Sequence, residues 1–338
     1  MPRAEDRIWR ALVVALFLLL ACALCYIVRW RYAIFRNGVD LGIFTQVVAG
    51  LGHGFSSTAE GGVSHLVVHW SPIIALAWPF VRAFGPVGLE YAQALLVAAV
   101  VFPVWGLARA RFAAPVAFAV TCVGALYPLL CANGVGDFHE MAFVPLLSAA
   151  LVWALDRRRW AVAVGIAFAL ACTKEDQFVV LAVNGLLFAA TARRDAHERR
   201  AGLAVAGVAA ALALSYFTIL RPALAPHSAY DALRFYGWLG SQGGAALSAL
   251  LIARVQYIAV VLVPVALLPC FSRYGLFLLP GFVEILASHE PVMLAPGAHY
   301  SALLTGYALA SFVDGAGAVA ARRPRVARGL IVAAAAAS

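Results

Sequence analysis

The chain has 338 residues, of which 64% are apolar and only 12% charged, about half the 25% or so of an ordinary soluble domain. That balance excludes the two soluble domains its length would otherwise allow. The wealth of Leu, Ala, Val and Phe excludes collagen-like and disordered chains. What remains is an all-α polytopic membrane protein, whose formal charge of +9 reflects basic cytoplasmic loops and not nucleic-acid binding.

The first element is an apolar run from Ala11 to Val28, preceded by Arg3, Arg7 and Arg10. A signal peptide has the same basic and apolar regions. This run, however, is about 18 residues long, enough to span a bilayer. No clean A-x-A site follows it, and Leu19-Leu20-Ala21-Cys22 matches a lipoprotein box only loosely. We read it as an uncleaved transmembrane helix with its N-terminus in the cytoplasm. The C-x-x-C of Cys22 and Cys25 lies inside this helix; like Cys122, Cys131, Cys172 and Cys270 these are apolar packing residues and not a redox or zinc motif.

A long first outer loop follows, residues 29–87, carrying surface helices. Arg29, Arg31 and Arg36 beside Trp30 and Tyr32 form an interfacial anchor, a pattern that equally suits a lipid phosphate. Leu41, Phe44, Val48 and Leu51 recur at helical spacing, as in an amphipathic surface helix. Asp40 stands at its start, where an Asp is a good N-cap. Gly50, Gly52, Gly54, Gly61 and Gly62 make the next stretch flexible; no Lys-Ser or Lys-Thr ends it, so it is not a P-loop. His65 and His69 have the i, i+4 spacing that puts two metal ligands on one helix face, although no Glu follows His65 as in H-E-x-x-H. With Asp137, His139 and Glu140 elsewhere, a divalent metal ion stays open as a cofactor. Ser71 to Ala83 is apolar, but with Pro72 and Pro79 and about 20 Å of reach it is an outer-surface or re-entrant helix.

Further apolar runs lie near 88–108, 112–131, 141–155, 160–173, 177–192, 201–220, 248–270, 274–287 and 299–313. A last one, Gly329 to Ser338, covers only about 15 Å, half a bilayer core, as if a helix were cut by the chain end. The expectation is about 10 to 11 transmembrane helices in a single domain over 1–338, with a second outer loop at 221–247.

Charge sets the topology. If 71–83 does not cross, Arg109, Arg111, Arg157 to Arg159, Arg193, Arg194, Arg199, Arg200, Arg273, Arg322, Arg323, Arg325 and Arg328 all face inside. A crossing there would invert this bias. The outside then collects Asp40, Glu60, Asp137, Glu140, Glu175, Asp176, Asp231, Glu290 and every histidine except His197, with Glu90 and Glu284 near outer helix ends. Outer loops are polar in any case; the gathering of imidazoles on one side points to a shared site. The runs 141–155 and 160–173 are shorter than a core about 30 Å thick. Pinned inside by Arg157 to Arg159, they sink their outer ends, Asp137-Phe138-His139-Glu140 and Lys174-Glu175-Asp176, below the surface. Ionisable groups at that depth are functional candidates by default. The loop with Arg221, His227, Tyr230, Asp231, Arg234, Tyr236 and Trp238 suits sugar or headgroup binding, or a seat at the interface.

Gly38-Val39-Asp40-Leu41-Gly42-Ile43-Phe44-Thr45-Gln46, His69-Trp70-Ser71-Pro72, Phe138-His139-Glu140, Lys174-Glu175-Asp176 and His299-Tyr300 together resemble, in order and spacing, a bacterial family of uncharacterised polytopic membrane proteins, domain of unknown function 2079, from about Ile34 to Tyr307. Thr45 departs from the family pattern, where a second acid is often found, which argues against a two-acid site in the first loop. The family layout looks like the GT-C glycosyltransferases, multi-spanning enzymes that take a sugar from a polyprenyl-phosphate carrier and use an acid near the first helix as base. The resemblance implies Asp40 as that base. It implies Lys174, Arg221, His69, His139 and His299 as partners of the phosphate, with Glu140, Glu175 and Asp176 orienting those cations, holding a metal or binding sugar hydroxyls, and His65 in the same substrate site. It further implies a multi-pass bacterial plasma-membrane protein whose partners are membrane lipids and the lipid-linked donor. The competing classes are a transporter or flippase of a lipid-linked or anionic solute and an inactive structural subunit. One-sided clustering of the ionisable residues favours the enzyme.

Overall fold

In lipid a backbone can satisfy its polar groups only within helices or closed barrels, and this chain uses helices. The structure, a computed structural model, describes residues 4–192, 195–225, 236 and 250–337. Among them every regular element is helical, apart from one isolated bridge between Ser56 and Ser64.

The first helix, α1 (Ala4–Ala33), extends the apolar run at both ends. The outer loop folds as α2 (Val39–Ala49), α3 (His65–Val68), a 3-10 segment Pro72–Ala77 and α4 (Trp78–Phe84). It does not cross: Arg109, after the next span, pairs with Asp6 at the start of α1 (3.3 Å), while Asn37, after α1, bonds Glu90 at the start of that span (2.9 Å). The span itself is α5 (Val87–Ala99) continued by α6 (Val101–Ala108). Then come α7 (Ala114–Ala125) and α8 (Pro128–Val135), bent by 51° where Pro128 starts a new helix. Next are α9 (Val144–Asp156), α10 (Trp160–Ala171), α11 (Asp176–Thr191), α12 (Ala196–Ser215), which continues through a π turn into α13 (Arg221–Leu224), α14 (Leu251–Leu262), α15 (Leu279–Ala287), α16 (Ala302–Arg322) and α17 (Pro324–Ala337).

The count of full-length spans differs from expectation. Among the described residues four helices are long and apolar enough to cross, Asp6–Ala33, Val87–Ala108, Ala196–Leu224 and His299–Arg322, with the bent α7–α8 pair as a fifth. The remaining apolar runs form shorter or broken helices. Proline is one cause: α14 stops at Leu262 before Pro264, and the chain turns through Ala266 and Leu267 in left-handed backbone (φ 50° and 56°). The charged turns at 139–140 and 174–176 are the other. The run expected from Gly329 begins earlier, at Pro324. Most of the second outer loop, with His227, Tyr230, Asp231, Arg234 and Trp238, lies outside the described residues, as do Arg193 and Arg194.

Helix α16 is the axis of the bundle. It packs on α9, α6 and the 3-10 segments Leu268–Phe271 and Arg273–Leu278, and 78% of its most apolar window is inside the protein, against 22% for α1. α1 therefore presents most of its surface to lipid. Helices α11 and α12 make the most extensive pairwise contact, through facing glycines. A Cβ on Gly185 would stand 2.6 Å from the carbonyl oxygen of Gly202. This is the small-residue approach by which helices associate in lipid, where no hydrophobic drive exists.

The two ends of the bundle differ chemically. At one, Arg111 bridges Asp156 (2.6 Å) and Asp314 (2.5 Å), Ser272 donates to Asp314 (2.6 Å), and Glu198 receives Arg273 (3.1 Å) and Arg158 (3.8 Å). The expected inside arginines Arg109, Arg111, Arg158 and Arg273 thus share one end. Asp314 lies roughly 20 Å along α16 from its first turn, where the other end carries the imidazoles. Gly202→Ala is expected to destabilise the protein by about 1–3 kcal/mol through overpacking. Gly207→Ala, where a Cβ meets nothing within 4 Å, is expected to be neutral or stabilising by up to about 1 kcal/mol. Unfolding in detergent micelles, followed by circular dichroism, checks both.

Candidate functional site

The outer loop is pinned to the bundle by Asp137. Its carboxylate accepts the backbone N–H of Gly38 and receives Asn37 (3.4 Å) and Arg31 (3.4 Å). A side chain at 38 would displace this carboxylate, since a Cβ there would lie 2.6 Å from Asp137 Oδ2. Glu90, fully buried, adds a second tie by accepting from Asn37 (2.9 Å) and from the Phe138 N–H (3.3 Å). Between these ties α2 lies flat, with Leu41, Phe44, Val47 and Val48 buried against Phe138 and α5. Leu51, expected on the same face, falls beyond the helix and is exposed.

Asp40 does not cap α2. Gly38 holds the N-cap position, and Asp40, the second residue of the helix, makes no capping hydrogen bond to the backbone. It is half-buried and lines a cavity of about 170 Å³ together with Gln93, Asn133, Asp137, His139 and His299. The rings of His139 and His299 stack at 3.5 Å and 9°. Each of Asp40, His139 and His299 offers a ligand atom within 4.8 Å of the others. Residues 99 and 160 positions apart in sequence thus meet in one hollow, set where α8, the 139–143 turn and the start of α16 converge.

Behind the cavity lies a buried ionic network. Glu140, with no solvent exposure, stands 3.0 Å from Nδ1 of His139 and 3.7 Å from Nζ of Lys174. Lys174 also approaches Asp176 (3.9 Å) and lies over the Tyr300 ring (5.4 Å). Glu175 clasps the outer loop: it bonds His69 Nδ1 (2.8 Å) and accepts the Trp70 N–H (2.8 Å), while Trp70 donates its indole N–H to the Ala171 carbonyl (2.9 Å). The sunken ends expected of the two short helices are therefore occupied by paired charges.

The proton affinities follow from this packing. Burial raises the Asp40 carboxyl above its ordinary value, and the carboxylates of Asp137 and Glu140 push the same way against the pull of His139 and Lys174. Burial lowers the His139 imidazole, more than the neighbouring Glu140 raises it. Burial opposes ionisation of Glu140, but His139 and Lys174 overcome it and hold the carboxyl well below its usual range. Burial likewise opposes the Lys174 charge, and Glu140, Asp176 and Glu175 outweigh it. Glu175 is held down to about 2 by His69 and Lys174 despite burial.

Several expectations need correction. His65 and His69 do not belong to the group of converging ligand atoms found among the described residues, which is Asp40, His139 and His299; His65 Nδ1 lies 2.7 Å from Glu60 and His69 Nδ1 2.8 Å from Glu175. Both belong to the wall behind the cavity, linked to it by Phe44, whose ring meets His65 at 5.4 Å and His139 at 5.2 Å. Lys174 is enclosed by carboxylates and does not line the cavity. Arg221 sits behind α3, its Nε donating to the Val67 carbonyl (3.3 Å). Gln93 and Asn133 line the cavity without having been singled out, and Asp137, named only as a possible metal ligand, lines it too. Lone amides inside apolar runs were the available signal for the first two: Gln93 donates to the Gly136 carbonyl and Asn133 bonds Thr305 on α16.

Compared with known proteins, residues 31–338 match a family described as "Predicted membrane protein (DUF2079)". No curated protein and no solved structure matches.

Two outcomes follow from the ionic network. Lys174→Met leaves Glu140 buried without its cation and is expected to cost about 3–5 kcal/mol; adding Glu140→Gln should recover much of this, as read from unfolding curves of the single and double variants. The His69–Glu175 pair should give a stability window. Glu175 has its carboxyl depressed from 4.5 to about 2, so its share is full above 4.5 and lost as pH falls towards 2. His69 is raised above 6.5 by Glu175, so its share is full below 6.5 and lost at higher pH. The difference in melting temperature between the protein and Glu175→Gln should be widest between those two ordinary values and narrow on both sides.

Proposed function

The chain belongs to the DUF2079 family of predicted membrane proteins, and we propose that it is a membrane glycosyltransferase of the GT-C kind, transferring sugar from a polyprenyl-phosphate carrier. One observation carries the reading: an acid with no hydrogen-bond or ion-pair partner among the described residues, Asp40, lines a polar hollow at the end of an apolar bundle, against two imidazoles. A hollow of about 170 Å³ is small beside ligand pockets of about 300–1,000 Å³. It suits the reacting groups, while the carrier's tail stays in the bilayer.

In this mechanism Asp40 takes the proton of the acceptor hydroxyl as its oxygen attacks the anomeric carbon. The bond from that carbon to the phosphate oxygen breaks, and polyprenyl phosphate leaves with the electron pair. Burial raises the Asp40 carboxyl, which makes it a better base than an exposed Asp. Imidazole N–H groups on His139 or His299 are the donors nearest the departing phosphate. Lys174 and His69, engaged by carboxylates, act by holding the walls. On this reading the site faces the extracytoplasmic side of a bacterial plasma membrane, opposite the arginine-rich end, with the N-terminus in the cytoplasm.

A transporter or flippase of a lipid-linked or anionic solute is the second reading. The bent pair α7–α8 favours it, because broken helices commonly build transport sites, and Asn133 and Gly136 at the end of α8 line the hollow. Membranes containing the protein, given a radiolabelled polyprenyl-phosphate sugar, separate the two. Transfer of label to an acceptor, reduced about 100-fold or more by Asp40→Asn with membrane insertion intact, is the expected result. Undiminished transfer by Asp40→Asn removes Asp40 from the role of base. Movement of intact donor across vesicles without transfer supports the transporter.

A further inference from the structure

The cavity is electron-rich in a way that the ionic network behind it is not. None of its lining residues among those described is Lys or Arg, although Lys174 and Arg31 lie nearby. Two carboxylates face it. Asp137 is already engaged by Gly38, Asn37 and Arg31, but Asp40 has no hydrogen-bond or ion-pair partner among the described residues. His299 Nε2 is buried and equally without a partner. His139 has its Nδ1 beside Glu140 at 3.0 Å and the Met141 N–H at 3.4 Å, which leaves Nε2 open to a ligand. An anionic phosphate would meet a carboxylate here with no cation to balance it. A cation would meet three donors.

We propose that Asp40, His139 and His299 form a binding site for one divalent transition-metal ion. The geometry fits. Three ligands about 2.1 Å from a tetrahedral ion stand roughly 3.4 Å apart. The ligand atoms here lie within 4.8 Å of one another, and a tilt of the two stacked rings (3.5 Å, 9°) would turn both in-plane lone pairs onto one ion. Glu140 occupies the position of the carboxylate that, in metal sites, fixes a histidine's tautomer from behind. It is fully buried and stands 3.0 Å from Nδ1 of His139. Two imidazoles with one carboxylate suit zinc, iron or a similar ion better than magnesium or calcium. Three protein ligands beside an open hollow are the pattern of a site that keeps a position for water or substrate.

The inference stands on the site and not on the transfer reading, which enters only for what the ion would supply: positive charge at the departing phosphate. The test uses the purified full-length chain in detergent, stripped by a chelator and titrated with Co²⁺, followed by visible absorption and by competition with Zn²⁺. Elemental analysis gives the stoichiometry. One Co²⁺ per chain, displaced by Zn²⁺, is expected. His139→Gln, His299→Gln and Asp40→Asn should each weaken binding at least 10-fold, and Glu140→Gln by about 10–100-fold, while His65→Gln leaves it unchanged. The proposal fails if the cooperatively melting wild-type protein takes up no Co²⁺, or if binding survives unaltered in the His139→Gln/His299→Gln double variant. Stripped protein that transfers sugar at full rate and still takes up one Co²⁺ supports the site, removes the ion from the departing phosphate and leaves the transfer reading intact. Stoichiometric binding without any transfer supports the metal site and counts against transfer.

Discussion

An ionised carboxylate buried in an apolar bundle is tolerable only beside a cation or a set of N–H donors, and this requirement organises the molecule. Glu140 and Glu175 are both buried. Lys174 lies beside the first, and His69 with the Trp70 N–H serves the second. These pairs join pieces of chain that share no sequence neighbourhood: the turn before α9, the turn before α11, and the outer loop. Once the charges are matched, the loop has one place to lie, and α2 is laid across the end of the bundle with Asp40 over the hollow.

The short helices are part of the same solution. α9 and α10 have 13 and 12 residues, roughly 18–20 Å at 1.5 Å per residue, well under a bilayer core about 30 Å thick. Their arginine-bearing ends are tied to α12 and α16 through Glu198, Asp156 and Asp314. The opposite ends therefore stop inside the bundle, and the turns there, before α9 and after α10, are buried. The long helix α16 spans the difference, carrying His299 and Tyr300 just before one end and Asp314 towards the other.

A consequence for chemistry is a division of labour among groups that look alike in sequence. Lys174, His69 and Asp137 are held in mutual pairs and shape the walls. Asp40, His139 and His299 keep donor atoms towards the cavity. An acid raised by burial against two imidazoles can accept a proton, bind a cation, or do both in turn.

Much of this was legible in the sequence. The apolar excess and arginine placement specify a helical membrane protein, and the odd parity around 71–83 agrees with the non-crossing loop. The brevity of the runs before Arg157 and after Arg159 marked the recessed turns, because length along a helix is a fixed 1.5 Å per residue. The number of full spans was not legible, since hydropathy does not say whether a proline or a charged turn will break a run inside the protein. Nor was the sorting of ionisable residues: the i, i+4 spacing of His65 and His69 suggested a shared ligand pair, yet Glu60 and Glu175, brought up from elsewhere, claim one imidazole each. Sequence alone determined the class of the chain and which ionisable residues interrupt or end its apolar runs, because both follow from composition and local periodicity. Only tertiary packing decided which of them remain available, because a buried charge chooses its partner by distance in space.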